Sequence, residues 1–189
     1  MRITLVYLAA GNSRRFGSNK LLYPLNGQPM YRHLLGRLVS VCSRHPEWEI
    51  VVVTQYREIA AGVSGLPVRC VLSPDSEKGV SYSIRAGVRA ASDAKAYAFF
   101  TADQPYFTEA SAEGFLLAME RAEAGLGCVC HRGESGNPAW FSAEYRNALL
   151  SLEGDRGGKC IIKAHPDDVE YYEISNPREL CDIDSRADT

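Results

Sequence analysis

The sequence lacks the features that mark membrane-spanning, nucleic-acid-coating and modular proteins. No apolar run approaches the roughly eighteen residues that a transmembrane helix needs. Lysine and arginine (21) nearly balance aspartate and glutamate (23), which argues against a protein that coats a nucleic-acid backbone. No repeat, linker or low-complexity tract divides the 189 residues, of which 46% are hydrophobic. We therefore expect one compact domain spanning residues 1–189, with neither a membrane nor a nucleic acid as partner.

A dense disulfide framework is also absent. The six cysteines are scattered through apolar segments, and the Cys128–Cys130–His131 fragment has no second ligand pair at the spacing of a zinc site. We predict reduced thiols in a cytoplasmic protein. The apolar start at residues 3–10 resembles a minimal signal peptide, but it is short and a Gly/Ser/Arg-rich loop follows it at once. A buried first strand is the favoured interpretation.

Apolar runs alternate with segments of helical periodicity along the chain. This alternation predicts an α/β protein, three-layered and Rossmann-like, with a mostly parallel central sheet covered on both faces. Ligands of such folds bind at the carboxyl ends of the strands. The predicted strands are Ile3–Ala9, Glu49–Thr54, Val68–Leu72, Tyr97–Thr101, Gly127–His131, Pro138–Phe141 and Val169–Ile174, and the predicted helices are Met30–Arg44, Tyr82–Ala91 and Glu109–Ala124.

The segment after the first strand has the composition of a phosphate-binding loop. Gly11 and Gly17 allow sharp turns that expose backbone amides, and Arg15 and Lys20 add positive charge. Two residues separate Gly17 from Lys20, so the segment is not a P-loop, and the Gly-x-Gly-x-x-Gly dinucleotide pattern is absent. An ordinary Gly/Ser turn with solvated cations explains these residues less well than a loop that holds phosphates.

Three later segments each allow a binding role and a structural one. Ser81 and Ser83 follow Gly79 near a helix start, where they contact a ligand or act as caps. Asp103 comes directly after a buried strand, where it holds a divalent cation over the phosphates or caps a turn. Lys159 follows a glycine-rich turn that grips a second anion or simply opens a helix. No Ser-His-Asp arrangement follows from the spacing of the four histidines.

The pattern Leu-Ala-Ala-Gly-x-Ser-x-Arg-Phe-Gly-x-x-Lys resembles the signature of nucleotidyltransferases related to the molybdenum cofactor transferases. Gly11, Ser13, Arg15, Gly17 and Lys20 match it position by position, whereas Arg14 falls on a variable position. Segments around residues 79–87, 133–141, 154–159 and 182–188 are similar to further family motifs, so the resemblance covers nearly the whole chain. Two departures are Gly158, where alanine is usual, and Ser185-Arg186 in place of Thr-Pro.

The resemblance implies a set of roles for these residues. Lys20, Arg15 and Asp103 would be catalytic, Asp103 and Asp184 would hold Mg²⁺, and Asn137 and Lys159 would bind the acceptor. The nucleotide would contact Leu8, Ala9, Ala10, Gly11, Ser13, Arg15, Gly17, Lys20, Gly79, Ser81, Ser83 and Asp103.

The resemblance also implies a reaction, in which a nucleoside monophosphate passes from an NTP to a phosphate-bearing acceptor and pyrophosphate is released. Within the family, Leu-Ala-Ala-Gly accompanies cytidine transfer and Leu-Ala-Gly-Gly accompanies guanine, so CTP and molybdopterin are the expected substrates. A molybdenum hydroxylase is the expected user of the product. The alternatives are another NTP such as GTP, a sugar- or alditol-phosphate acceptor, or a non-catalytic cofactor carrier. Lys20, Asp103 and Asp184 argue against the carrier.

Overall fold

The computed structural model describes residues 2–13, 16 and 19–185. Strands and helices alternate along most of this part of the chain. The strands are β1 (Ile3–Leu8), β2 (Pro24–Leu25), β3 (Gln28–Pro29), β4 (Trp48–Thr54), β5 (Arg69–Leu72), β6 (Ala96–Thr101), β7 (Leu126–His131), β8 (Glu134–Ser142) and β9 (Val169–Glu173). The helices are α1 (Met30–Ser43), α2 (Arg57–Gly62), α3 (Val80–Ala90), α4 (Glu109–Arg121), α5 (Arg146–Leu150) and α6 (Lys159–Ala164).

Within the described residues, the central sheet has seven strands in the order β5-β4-β1-β6-β8-β7-β9. All neighbouring pairs are parallel except those of β8, which is antiparallel to β6 and to β7. The predicted mostly parallel sheet is confirmed. The sequence did not predict that β8 runs antiparallel or that it begins at Glu134, because its polar first half lacks the apolar pattern of a buried strand.

Helices cover both faces of the sheet and make the fold three-layered. Leu5 and Tyr7 of β1 point to one face, where they join a core with apolar residues of α1 and α4 such as Leu35 and Phe115. Val6 points to the other face, into a core with apolar residues from α3, α5 and α6. This alternation follows from the pleat of a strand that is buried on both sides.

The three predicted helices are present with small shifts at their ends. The last of them, α4, ends at Arg121 rather than at residue 124, and Glu123 just beyond it has a left-handed φ of 49°. The structure adds the hairpin β2–β3 and the helices α2, α5 and α6, which the sequence analysis did not predict. Each of these helices has only five or six residues, too few to display helical periodicity.

None of the helices in the described residues is both long and apolar enough to cross a membrane. All six cysteines are free. Cys130 lies on β7 with its Sγ 3.0 Å from Glu173 Oε2, and burial followed by this carboxylate raises the pKa of its thiol to about 11. Among the described residues no three cysteine, histidine or acidic side chains are arranged to hold a metal ion, so Cys128, Cys130 and His131 do not form a zinc site there.

Candidate active site

A cavity of about 350 Å³ opens at the carboxyl ends of β1 and β6. This is the edge at which parallel α/β sheets bind their ligands. The cavity is lined by Leu8, Ala10, Gly11, Asn12, Lys20, Leu21, Ser76, Gly79, Val80, Ser83, Thr101, Asp103 and Asp155.

The loop after β1 is held in place by side chains that follow the neighbouring strand β4. Gln55 Nε2 donates to the carbonyl oxygen of Ala10 at 2.6 Å and to Asn12 Oδ1 at 3.0 Å. Tyr56 Oη donates to the carbonyl oxygen of Gly11 at 2.7 Å. These bonds use the carbonyl oxygens of the loop and keep its backbone fixed against β4. Gln55 and Tyr56 were not predicted from the sequence. The one local indication of their role is their position directly after a predicted strand.

Lys20 is a buried cation surrounded by three oxygens. Its Nζ donates to Asp103 Oδ2 at 2.9 Å, to the Ile183 carbonyl oxygen at 2.9 Å and to Asp184 Oδ1 at 3.2 Å, and its side chain is 9% exposed. Burial acts to lower the pKa of Lys20, but the carboxylates of Asp103 and Asp184 outweigh it and raise the pKa. Lys20 is therefore an ammonium. The backbone nitrogen of Lys20 donates to Ser13 Oγ at 3.1 Å. This bond connects Lys20 to the segment 9–19 that follows β1, which we call the glycine loop.

Asp184 reaches Lys20 from the C-terminal strap, which we define as residues 177–185. Glu179 Oε2 accepts hydrogen bonds from the Thr108 backbone nitrogen at 2.9 Å and from Thr108 Oγ1 at 2.8 Å, so it ties the strap to the start of α4. The Ile183 nitrogen donates to the Asp103 carbonyl oxygen at 2.9 Å. Ile183 itself is 1% exposed and packs in a small apolar cluster with Phe16, Leu25 and Met30. These contacts place Asp184 beside Asp103.

A side chain of helix α1 holds the loop that carries Asp103. Arg37 Nη1 donates to the carbonyl oxygens of Pro105 at 2.6 Å and of Phe107 at 2.8 Å. In the same loop, Thr101 Oγ1 donates to Gln104 Oε1 at 3.1 Å. The carboxylate of Asp103 hydrogen-bonds Lys20 and leaves the turn to be held by these other groups. We conclude that Asp103 faces the cavity instead of capping the turn.

The two carboxylates beside Lys20 Nζ could hold a divalent cation together with a substrate. Asp103 and Asp184 direct carboxylate oxygens at one point, and Mg²⁺ is commonly bound by one or two carboxylates plus substrate phosphates. No third acidic, histidine or cysteine ligand completes a metal site within the described residues. Desolvation, followed by the nearby carboxylates of Asp103 and Asp184, raises the pKa of Asp182 to about 6. Asp182 is therefore an acid close to two other negative charges.

The start of α3 is pressed against the loop that precedes α6. Gly79 has φ +139°, and a Cβ at this position would lie 2.4 Å from the carbonyl oxygen of Gly154. The Ser81 nitrogen donates to the same carbonyl oxygen at 3.2 Å. Only glycine permits this approach, which brings Asp155 to the wall of the cavity.

The two serines of α3 have different surroundings. Ser83 lines the cavity, and its Oγ donates to Ser76 Oγ at 2.8 Å. Ser81 is fully buried, and its hydroxyl has no hydrogen-bond partner in the part of the chain that the structure describes. Neither serine caps α3, because the N-cap is Gly79 and no side chain makes a capping hydrogen bond there.

A second cavity of about 320 Å³ is lined by the two residues predicted to bind the acceptor, Asn137 and Lys159. Its other lining residues include Gln104, which follows Asp103 of the first cavity directly in the chain. Nearby, a Cβ on Gly158 would lie 2.5 Å from Phe141 Cζ, so alanine does not fit here without a shift of the ring. This contact accounts for glycine at a position where the resembling family usually has alanine.

The structure thus gathers most of the predicted site residues in two adjoining cavities. Leu8, Ala10, Gly11, Lys20, Gly79, Ser83 and Asp103 line the first. Ala9 and Ser81 are fully buried and line neither cavity. Ser13 and Asp184 also line neither cavity, but both are hydrogen-bonded to Lys20. Arg15 and Gly17 lie outside the described residues. Asn12 and Asp155 line the first cavity but were not predicted as site residues, although both lie in segments that resemble family motifs.

Comparison with known proteins agrees with this geometry. The family model described as the MobA-like NTP transferase domain matches residues 5–169. The purine catabolism protein PucB of Bacillus subtilis is 28% identical in an alignment 192 residues long. The alignment covers 95% of this chain and 90% of that protein. A probable molybdenum cofactor guanylyltransferase of Pyrococcus horikoshii is 41% identical over 56 residues, which cover 25% of this chain and 29% of that protein.

Solved structures share the fold over nearly the full chain. Rv0371c of Mycobacterium tuberculosis superposes with a TM-score of 0.81 at 22% identity, covering 99% of this chain and 94% of that one. Its complex with manganese gives a TM-score of 0.77 at 20% identity, with 100% and 96% covered. A nucleotidyl transferase of Methanothermobacter gives 0.80 at 23% identity, with 99% and 94% covered.

The family match runs from within β1 to the first residue of β9, and it includes every lining residue of the first cavity and all but Leu180 and Asp182 of the second. The chain belongs to the MobA-like NTP transferase family and is a nucleotidyltransferase.

Proposed function

We propose that this nucleotidyltransferase moves CMP from CTP to molybdopterin and releases pyrophosphate. The observation that supports this most directly is the placement of Lys20 and Asp103 in one cavity, with Asp184 hydrogen-bonded to Lys20, next to a second cavity lined by Asn137 and Lys159. Two adjoining cavities suit a reaction that joins two substrates. Asp103 lines the first cavity and Gln104 the second, and we infer that the reacting phosphorus lies near this pair.

In the proposed reaction an oxygen of the acceptor phosphate forms a bond to the α-phosphorus of CTP, and the bond to the β-phosphate oxygen breaks. The amides of the glycine loop and Arg15 hold the triphosphate. Lys20 stabilises the negative charge that builds at the α-phosphate in the transition state. No general base is needed, because the attacking phosphate is already ionised. Lys159 and Asn137 hold the acceptor.

Asp103 and Asp184 are the residues that would hold the divalent cation. Bound Mg²⁺ neutralises charge on the phosphates and on the leaving pyrophosphate. The manganese complex of the structural neighbour Rv0371c supports a divalent cation in this fold. The choice of Mg²⁺ is part of our proposal.

The choice of CTP rests on Leu8-Ala9-Ala10-Gly11, the variant that accompanies cytidine transfer in the resembling proteins. Ala10 lines the cavity, so its methyl group limits how closely a base lies on the loop. GTP is the second candidate, because a similar protein is named as a molybdenum cofactor guanylyltransferase. Sugar- or alditol-phosphates are alternative acceptors, and a cofactor carrier without turnover is the alternative outside enzyme function.

The proposal includes the setting in which the protein works. We place one domain, residues 1–189, in the cytoplasm, where cysteines without disulfide partners stay reduced. A molybdenum hydroxylase would receive the dinucleotide cofactor.

The test is to incubate the protein with Mg²⁺, molybdopterin and each NTP in turn, and to measure pyrophosphate. We expect CTP to give the fastest release. Equal or faster release with GTP would overturn the cytidylyl assignment and leave the transferase fold untouched. An Asp103→Asn variant serves as the control for background hydrolysis. If the wild-type protein binds CTP but releases no pyrophosphate with molybdopterin or with a sugar- or alditol-phosphate, the carrier function is correct instead.

A further inference from the structure

The contacts of Lys20 suggest how the order of ligand binding is controlled, an inference that rests on the proposed function. Its ammonium group has three N–H donors, and the three oxygens around it, of Asp103, Asp184 and the Ile183 backbone, use all of them. Two of these oxygens belong to the carboxylates that would hold the divalent cation. The ammonium therefore lies where the cation would have to bind.

The ammonium and a divalent cation exclude one another at this position. A magnesium–oxygen bond is about 2.0–2.1 Å long, whereas Lys20 Nζ lies 2.9 Å from Asp103 Oδ2 and 3.2 Å from Asp184 Oδ1. A cation bonded to the same oxygens would be in close contact with a positive group in a poorly hydrated place, because the Lys20 side chain is only 9% exposed. Repulsion between like charges is strong at this distance and weakly screened there.

An anion offers Lys20 an alternative partner. Lys20 lines the same cavity as Gly11 and Asn12 of the loop that would hold the triphosphate. Its long, flexible side chain can turn from the aspartates to a phosphate oxygen without movement of the main chain. Once it has turned, its hydrogen bonds to the two carboxylates are broken, and a cation can bind the oxygens that it has left.

We propose that Lys20 occupies the cation position in the empty enzyme, so that the divalent cation binds the two aspartates together with the nucleotide and not before it. Lys20 thus has two positions, one between the aspartates and one on the phosphates. The nucleotide moves it from the first to the second. By linkage, the nucleotide and the cation each strengthen the binding of the other.

The test measures Mn²⁺ binding in the absence of nucleotide, by the loss of the free-ion electron paramagnetic resonance signal. We expect Lys20→Met to bind one Mn²⁺ per chain at least tenfold more tightly than the wild-type protein. Lys20→Gln, which keeps N–H donors for the Ile183 carbonyl oxygen, should behave alike and serves if the methionine variant is unstable. Adding Asp184→Asn to either variant should remove the gain.

A matched control separates occupation of the site from general loss of charge. Lys159→Met also removes one positive charge, but from the neighbouring cavity, and should change Mn²⁺ affinity less than twofold. Adding CTP should tighten Mn²⁺ binding much more in the wild-type protein than in Lys20→Met. Equal Mn²⁺ affinity of wild-type protein and both Lys20 variants without nucleotide would overturn the proposal. Since that comparison uses no nucleotide and no turnover, its result is independent of whether CTP is the true substrate.

Discussion

Lys20 remains charged because of its neighbours and not because of water. Two carboxylates and a carbonyl oxygen surround its ammonium group, and together they outweigh the loss of hydration. A buried ion pair of this kind is weak evidence for a role in stability, since the desolvation of both partners offsets much of the attraction. Lys20 lines the same cavity as Gly11 of the glycine loop, which favours the proposed catalytic role over a stabilising one.

Lys20→Ala should therefore affect turnover more than nucleotide binding. An interaction made mainly in the transition state lowers kcat more than it weakens the ground-state complex. We expect a loss on the order of 10²–10³ in single-turnover rate, with CTP affinity by calorimetry changed only modestly. Lys20→Arg should restore the rate only in part, because a planar guanidinium does not replace a compact ammonium. Unchanged turnover in Lys20→Ala would remove this lysine from the mechanism.

At the scale of residues, the sequence predicted groups with distinctive chemistry and missed those that act through tertiary contacts. Gly11, Lys20 and Asp103 were predicted because a glycine loop and an acid after a strand are recognisable locally. Gln55 was missed because its hydrogen bond joins residues 45 positions apart, and such a contact leaves no periodic pattern. Asp184 was predicted only through the family resemblance, because the hydrogen bond that Lys20 Nζ donates to it joins residues 164 positions apart.

At the scale of elements, the close packing of the Phe141 ring restricts which residues fit in the turn before α6. A Cβ on Gly158 would lie 2.5 Å from the ring, whereas a Cβ on Gly157 would meet only Val80 Cγ1 at 3.7 Å. Gly158→Ala should lower the free energy of unfolding by about 1–3 kcal/mol through overpacking. Gly157→Ala is the matched control and should change it by less than about 1 kcal/mol. Urea denaturation of both variants makes the comparison, and equal midpoints would contradict this steric account.

The strap is a second element whose attachment can be tested. Glu179 is 5% exposed and accepts two hydrogen bonds from Thr108. Glu179→Ala should loosen the strap and weaken the position of Asp184, so the Mg²⁺ concentration for half-maximal turnover should rise severalfold. Glu109→Ala serves as the control, because Glu109 lies in the first turn of the same helix and contacts Ser40 and Arg44 instead of the strap. An unchanged Mg²⁺ dependence in Glu179→Ala would show that the other contacts of the strap, such as those of Ile183 and Leu180, hold Asp184 in place without Glu179.

Element types were predictable where an apolar pattern is long enough to be unambiguous. Strand β1 and helix α1 follow from such patterns, and their observed bounds differ from the predicted ones by one residue. The direction of β8 was not predictable, since an antiparallel and a parallel strand have the same side-chain period. Its neighbours in the sheet are decided by packing between segments distant in sequence.

At the scale of the whole molecule, two cores share one sheet, one on each face. Strand β1 contributes Leu5 to one core and Val6 to the other, so neither core can form without the strand that both use. We expect a single calorimetric unfolding transition, with equal van't Hoff and calorimetric enthalpies. Two resolved transitions would contradict the assignment of residues 1–189 to one domain.

Ligand binding should shift this transition. CTP with Mg²⁺ at a hundred times its dissociation constant stabilises the native state by about 2.7 kcal/mol, which for a chain of this size is a rise of roughly 5–10 °C in Tm. CTP in excess EDTA should give a smaller rise in the wild-type protein, and Asp103→Asn should show little difference between the two conditions. A rise that is equal with and without Mg²⁺ in the wild-type protein would separate cation binding from nucleotide binding.

The short segment from Gly154 to Lys159 borders both cavities, with Asp155 on the wall of the first and Lys159 on the wall of the second. If each cavity holds one substrate, as we propose, the two substrate choices are separable in protein redesign. Changes at Ala10 would then address one partner and changes at Asn137 the other, since neither residue lines the opposite cavity. The segment itself is the exception, because its length would set how far apart the two substrates are held, and adding or removing one residue there would alter both specificities at once.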